Sequence, residues 1–398
     1  MTTVAPITYS PYDYAIHEDP YPTYARLRAE APVFYNEQLD FFAFSRHADV
    51  LAAFRDVDHY SNSYGVSLDP SAYGPDAHRA MSLLAMDPPR HTRMRSIAGK
   101  SFTPRRVAEM ETHIRELAVK HLGPALEAGR FDFVGDFAGR LPMDVISELV
   151  GVPPSDRAEV RRLADLLVHR EEGMDDIPRA GLDAALTLAG YYAEMVAARR
   201  RREHDDLTWS LLQQSVDGQG LSDDEVVSFL FLLVVAGNET TTKLLGNAWY
   251  WGWRHPDQLA RPLAERARVA DWVEETLRFD TSTQMLARVT RAPVRVQGVE
   301  IEAGRRVLLL VGSANRDSAV FPEPDRYDLD RDTKDSISFG GGRHFCMGAP
   351  LARLEARVAL SELLDRIKGY DIDEAGLVRV HSINVRGLAA VPTTVAVR

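Results

Sequence analysis

The chain has 398 residues, with 47 Lys and Arg against 58 Asp and Glu for a formal charge of −11. Its 45% hydrophobic and 26% charged residues are ordinary globular composition, which excludes a disordered chain, a coiled coil and a collagen-like repeat. The acidic balance argues against nucleic acid as a partner, and one cysteine, Cys346, cannot form an internal disulfide. Residues 1–19 show no basic stretch followed by an apolar core, so no secretory leader is expected. The longest apolar run, 229–237, is far short of the roughly 20 residues that span a bilayer. A cytoplasmic protein with no membrane association is expected.

In chain order, 20–30 reads as a helix with Tyr24, Leu27 and Ala31 on one face, and 45–54 repeats the pattern through Val50, Leu51 and Phe54. The Ser-, Gly-, Pro- and Tyr-rich run 61–84 reads as a long loop, a length that is uncommon without a functional reason. Helical signals dominate 90–203, with breaks at Gly123-Pro124, Gly129, 151–154 and Gly173. The clearest helix starts at Ser222-Asp-Asp-Glu225, a capping-box spacing, and continues to about Trp251. That is about 30 residues, or roughly 45 Å, apolar nearly all round and therefore buried. Strand signals follow at 294–296, 299–301 and 307–311, with turns at Gly298 and Ala303-Gly304, and a last β region covers 378–397. The class is mainly α with a minor β part. A single domain is expected over 1–398, β-rich at roughly 20–60, 280–312 and 378–398, and helical at roughly 90–278 and 349–368.

Four places break local rules, and sequences do so chiefly at functional or strained sites. Ala236-Gly-Asn-Glu-Thr-Thr-Thr242 puts a glycine, an acid and three threonines in the middle of the buried helix. Either a second helix crosses a small-residue patch there, or a hydroxyl bonds a ligand while a carboxyl passes protons. Phe339-Gly-Gly-Gly-Arg-His-Phe-Cys-Met-Gly348 precedes a helix marked by Leu351, Leu354, Val358, Leu360, Leu364 and Ile367, with Pro350 in its first turn. Cys346 is then either an inert buried thiol or, beside a helix N-terminus, a thiolate favoured by free amides. The three glycines let the backbone approach a flat cofactor. One cysteine cannot build an all-cysteine zinc or iron–sulfur site, but one thiolate is enough for a haem iron. His91 and Arg95 share a helical face, as a solvated basic patch or as a clamp for carboxylates. Glu275 and Arg278 alone would be a weak surface pair.

Taken in order, these motifs resemble the cytochromes P450, specifically the soluble bacterial type. The segment 339–348 resembles the haem-binding loop, and 236–241 the oxygen-activation segment of the long central helix. Glu275 to Arg278 is similar to the Glu-x-x-Arg helix. Residues 87–95 resemble the haem-propionate helix, and Ala314-Asn-Arg-Asp317 with 321–326 the meander; the resemblance extends from about residue 19 to the C-terminus. It implies a triangular helical prism with small β-sheets around haem b, with Cys346 as the axial thiolate. Such ligation pushes electron density toward O–O cleavage, these proteins being the instance for which that push is described.

His91, Arg95, Arg288 and His344 match positions that hold the propionates. Gly237 would leave room for O2, Thr240 and Glu239 would steer protons, and Phe339, Phe345 and Gly348 would shape the loop around the thiolate. Glu275, Arg278 and Arg326 match a structural network behind the haem. Leu83, Leu84, Val234, Val235, Met285, Leu286 and Ile383 map to an apolar substrate pocket. The implied activity is a monooxygenase drawing electrons from NAD(P)H through a separate reductase and ferredoxin, as a monomer. A peroxide-driven peroxygenase and a haem-binding sensor without turnover are the alternatives. The Glu239-Thr240 pair disfavours both. Asn238 stands at a variable position beside the acid. Arg343 replaces a more usual apolar residue and joins Arg105, Arg106, Arg353 and Arg357 on the face expected to meet an acidic ferredoxin. The basic run 199–202 is a solvated helix end with no function assigned.

Overall fold

The structure, a computed structural model, describes residues 7–398; the first six, part of the stretch read as lacking a leader, lie outside the described residues. Its axis is the helix Asp223–Arg254, 32 residues long. The predicted capping box is present: the Ser222 hydroxyl accepts from the Glu225 amide and the Glu225 carboxylate from the Ser222 amide, both at 3.2 Å. This helix alone is long and apolar enough by composition to cross a membrane, among the described residues. Instead 61% of its most apolar window is buried inside the protein, under the helices Leu141–Val150, Arg157–Val168, Arg179–Arg201, Val269–Phe279 and Ala349–Arg366. The main hydrophobic core forms around it, with two smaller cores on the sheet side.

That sheet has five strands in the order Val33–Asn36, Phe41–Phe44, Arg306–Leu310, Met285–Thr290, Tyr60–Ser61. All pairs are antiparallel except Phe41–Phe44 with Arg306–Leu310. A second sheet pairs Ile367–Ile372 with Pro392–Val397 and that strand with Arg130–Asp132. The hairpin of Val294–Val296 and Val299–Ile301 turns at Gln297-Gly298, both at positive φ, the type I′ geometry that matches strand twist.

Several local expectations give way to tertiary context. Gly123-Pro124 does not break the helix Glu111–Ala128; Pro124 forgoes one backbone hydrogen bond, and packing of the adjacent Leu122 and Ala125 on the core carries the helix through. Ile367 begins a strand rather than extending the helix, which ends at Arg366. The loop 61–84 holds short 3-10 turns at Pro70–Ala72 and Ser82–Ala85 and one helical turn at His78–Met81. The nearly continuous apolar strand Met285–Thr290 carried no alternating signal, because almost all of it is buried.

Candidate active site

The glycine-rich loop is held by backbone contacts. Gly340 and Gly342 lie at φ +73° and +63°, and a Cβ on Gly342 would meet the Phe54 carbonyl oxygen at 2.5 Å, so glycine is required there. The Cys346 amide closes the loop on the Phe339 carbonyl at 2.9 Å, and the Phe339 and Phe345 rings lie 6.4 Å apart. Gly348 caps the helix Ala349–Arg366, and the Gly348 and Ala349 amides donate to the Cys346 sulfur. Burial nevertheless outweighs those amides and the nearby Arg95 and Arg353, so the thiol is raised rather than lowered. The expected thiolate therefore needs a cation on the sulfur itself. Cys346 keeps accessible surface, although enough protein lies around it to raise its thiol.

The central helix supplies another accessible surface. Ala236 is exposed and Gly237 and Thr240 are partly so, while Asn238, Glu239, Thr241 and Thr242 are buried. The Thr240 hydroxyl donates to the Ala236 carbonyl at 2.7 Å. A Cβ on Gly237 would lie 3.5 Å from Ile146, so the volume its missing side chain frees is against helix Leu141–Val150. Glu239 turns into the helix packing. Its carboxylate is 3.2 Å from the Lys243 ammonium and 3.4 Å from the Asn238 amide, and it accepts a hydrogen bond from Asp165 of helix Arg157–Val168. The Lys243 contact was legible as an i,i+4 pair; Asp165 was not.

Four basic side chains gather near the loop. The His91 and His344 rings are 4.1 Å apart. Neither His91 nitrogen has a hydrogen-bond partner, nor does His344 Nδ1. Burial and neighbouring arginines depress His91 to about 4 and His344 to about 2. Burial also lowers Arg288, to about 10; it spends one N–H on the Ala287 carbonyl at 2.7 Å and lies over the Phe54 ring. Arg95 donates to the Phe345 carbonyl at 2.6 Å. A cavity of 420 Å³ opens beside His91, Arg95 and Arg343. Buried cations and orphaned nitrogens without a carboxylate partner are costly unless an anion binds there.

These residues fit a haem: an accessible sulfur, donors for two carboxylates, and a small-residue helix surface. Among the described residues no group of three or more His, Cys, Asp or Glu could hold a metal ion, so an iron here would need ligands from outside the protein, which a porphyrin supplies.

Behind this region lies a different kind of charge cluster. Glu275 and Arg278 form a two-point ion pair at 2.7 Å and are almost fully buried. Arg278 also donates to the Asn315, Pro324 and Arg326 carbonyls, and Glu275 accepts from the Asp328 amide. Arg326 joins only through that carbonyl, contrary to expectation. Its guanidinium is more than half exposed, toward Glu323 and Asp328, and Arg331 instead reaches Glu275 at 3.4 Å. The meander's backbone path decides which arginine points inward, and no local sequence signal distinguishes them.

The expected pocket residues divide. Leu84, Val235 and Leu286 keep accessible surface. Leu83, Met285 and Ile383 are 4%, 2% and 2% exposed, and Met285 sulfur accepts from Tyr9 at 3.5 Å. Val234 is fully enclosed in the main core, which contradicts its placement in the pocket. It lies about 200° around the helix from Ala236, at 100° per residue. Arg105, Arg106, Arg343 and Arg357 are exposed, whereas Arg353 is engaged with Glu274 and over the Phe339 ring.

A family model described as Cytochrome P450 matches residues 182–369. A cytochrome P450 designated 123, from Mycobacterium tuberculosis, is 55% identical over 389 residues, 98% of this chain and 97% of that one. The vitamin D(3) 25-hydroxylase of Pseudonocardia autotrophica is 39% identical over 409 residues, 100% and 99% of the two chains. Among solved structures, cytochrome P450 CYP109Q5 from Chondromyces apiculatus superimposes with a TM-score of 0.88 at 35% identity, covering 98% of each chain.

Proposed function

The chain belongs to the cytochrome P450 family and is a P450 monooxygenase, and from that premise we propose how its own residues serve the reaction and what it acts on. Haem, when bound, supplies the chemistry that activates O2 and inserts one oxygen atom into a C–H bond, with two electrons and two protons consumed and one water released.

Cys346 would hold the haem iron through its sulfur. The observation that carries this is its sulfur, accessible and served by the Gly348 and Ala349 amides. Those amides keep a thiolate in place and limit its basicity, the outer-sphere tuning that sets an iron's properties. His91, Arg95, Arg288 and His344 hold the two propionates, whose charge relieves the desolvation that now depresses all four. Phe339, packed under Arg353, would keep water from the sulfur side, whereas Phe345 is 43% exposed. On the central helix Thr240, whose hydroxyl rests on the Ala236 carbonyl, would hand on protons at the accessible face, with the acid Glu239 buried behind it as their source. Glu275, Arg278 and Arg331 act on folding and haem retention.

The substrate is an apolar molecule seated against Leu84, Val235, Leu286 and the edges of Leu83 and Ile383; a relative named for acting on vitamin D(3), a largely apolar compound, supports that class. Electrons come from NAD(P)H through a reductase and a ferredoxin that docks where Arg343, Arg105, Arg106 and Arg357 are exposed. The whole chain works as a single domain, monomeric and in the cytoplasm. The test is turnover of purified holoprotein with ferredoxin, reductase, NAD(P)H and isotopically labelled O2, on compounds that shift the ferric Soret band to the blue. Product carrying one labelled atom supports the proposal. Product formed only with added peroxide, or no substrate-dependent use of reductant, would replace it with the peroxygenase or the sensor.

A further inference from the structure

A second cavity, of 430 Å³, lies between the start of helix Tyr21–Glu30, the end of the central helix and the strand Val378–Arg379. It takes no residue from the glycine-rich loop, the four basic side chains beside that loop or the substrate pocket. Three arginines line it, and they differ in how far the protein completes them. Arg386 is finished: it meets the Asp280 carboxylate at 2.7 Å and the His17 and Glu18 carbonyls at 2.6 and 3.2 Å. Asp280 is finished too, accepting also from the Tyr21 hydroxyl and the Trp251 indole. The Arg316 guanidinium is held 3.5 Å from the centre of the Tyr21 ring and 3.6 Å from that of Phe279. It gives Nε to the Phe279 carbonyl and Nη1 to Asp325, which leaves Nη2 without a partner among the described residues. Arg379 makes no hydrogen bond among them; the Glu18 carboxylate comes to 3.5 Å, although the arginine side chain is only 15% exposed. Burial, with Arg386 beside it, lowers Arg379 from its usual value. A withdrawn guanidinium with unused N–H groups is costly until an acceptor arrives.

The counter-charges stand at the rim. Glu18, Asp19 and Asp325 line the same cavity and are exposed, so the incompletely paired cations lie deep and the carboxylates shallow. Tyr21, Tyr250 and Trp251 supply an aromatic wall, with the Tyr250 and Trp251 rings 5.1 Å apart at 71°. A guanidinium fork matches a carboxylate, whereas acids at the rim favour an ammonium and repel a second negative charge. The volume is within the range of about 300–1,000 Å³ usual for small-molecule sites. We propose that this cavity is a second ligand site, separate from the haem pocket, for a small zwitterion. Its carboxylate would sit on Arg316 and Arg379, its ammonium toward Glu18, Asp19 and Asp325, and an aromatic body against Tyr250 and Trp251. The chemical class is that of a free aromatic amino acid. A nucleotide would bring several negative charges past the acidic rim, and a neutral apolar compound would leave both arginines without an acceptor.

The probe is L-tryptophan, titrated by calorimetry into ferric holoprotein whose haem pocket is saturated with imidazole. One-to-one binding is expected, and it should persist with the haem blocked. Tryptamine, which lacks the carboxylate, and indole-3-propionate, which lacks the amine, should each bind about tenfold more weakly, for loss of one charge-assisted contact. Arg379→Gln should weaken L-tryptophan by a similar factor and leave the ferrous–carbon monoxide spectrum unchanged, because folding loses no hydrogen bond with it. Glu18→Gln should weaken L-tryptophan yet tighten indole-3-propionate, a reversal that a merely structural role does not produce. Tyr250→Ala, at a half-buried ring away from the arginines, is the second variant should Arg379→Gln misfold; it should lose affinity for all three compounds. No heat of binding at millimolar L-tryptophan, loss of binding when imidazole fills the haem pocket, or unchanged affinity in Arg379→Gln or Tyr250→Ala would overturn the site. Equal affinity for indole-3-propionate and L-tryptophan would overturn the zwitterion.

Discussion

Two clusters of buried charge sit on this fold, and they differ in whether the protein completes them. Glu275 and Arg278 are 1% exposed or less, and the Arg278 guanidinium is shared among a carboxylate and three carbonyls. His91, Arg288 and His344 are also withdrawn from water, but no carboxylate pairs with them, Asp87 acting on His91 and Arg288 only through its charge, and ring nitrogens of both histidines have no partner. The first cluster is finished on folding; the second is finished only by a ligand. Burial of charge alone therefore does not mark a binding site, whereas burial without partners does.

The largest effect expected from that contrast is at the finished cluster. Arg278→Ala leaves Glu275 as an unpaired buried charge and should cost about 3–5 kcal/mol, read as a loss of folded, haem-loaded protein on expression. At the unfinished cluster the sign should split. Arg288→Leu should weaken haem retention about tenfold or more, for loss of a charge-assisted bond of roughly 1.5–3 kcal/mol. The haem-free protein should keep or gain stability, because an uncompensated buried charge is removed. Haem transfer to apomyoglobin and urea melts of both forms check the two halves. If Arg288→Leu destabilised the haem-free protein as Arg278→Ala does, the distinction between the clusters would collapse.

A smaller effect concerns pH. His91 sits at about 4 in the folded protein against about 6.5 when unfolded. Between those values the unfolded chain binds the extra proton, so haem-free stability should be full above about pH 6.5 and fall toward pH 4 by up to about 1.4 kcal/mol per unit. His91→Gln should remove its share of the slope in urea melts, leaving that of His344, which burial holds at about 2, and haem should flatten both, since a propionate favours the protonated ring. The smallest contrast is between two arginines of the meander. Arg331→Ala should lose about 1–2 kcal/mol with its bond to Glu275 and nearby carbonyls. Arg326→Ala should stay within about 0.5 kcal/mol, because its guanidinium faces water.

What was legible in the sequence was what local chemistry decides. The capping box at Ser222 and Glu225, the glycines that let 339–348 turn tightly, and the hairpin around Gly298 each follow from neighbours within a few residues. What was not legible depends on distant backbone. The choice of Arg331 over Arg326 follows the path of the meander. Helix Glu111–Ala128 continues through Pro124 because packing outweighs one lost hydrogen bond. Val234 was placed beside Val235 in the pocket, but its enclosure follows from the helix phase set at Ala236 and Thr240. The hydrogen bond from Asp165 to Glu239 joins residues 74 positions apart, and neither carries a local sign of the other.

The central claim is that Cys346 and the unfinished cations hold a haem through a thiolate. The most direct measurement is the ferrous–carbon monoxide spectrum of purified holoprotein beside that of Cys346→Ala. The account predicts the far-red-shifted Soret band of thiolate-ligated haem in the native protein and its loss in the variant. A native spectrum with the band position of imidazole-ligated haem, or one that Cys346→Ala leaves unchanged, would contradict it.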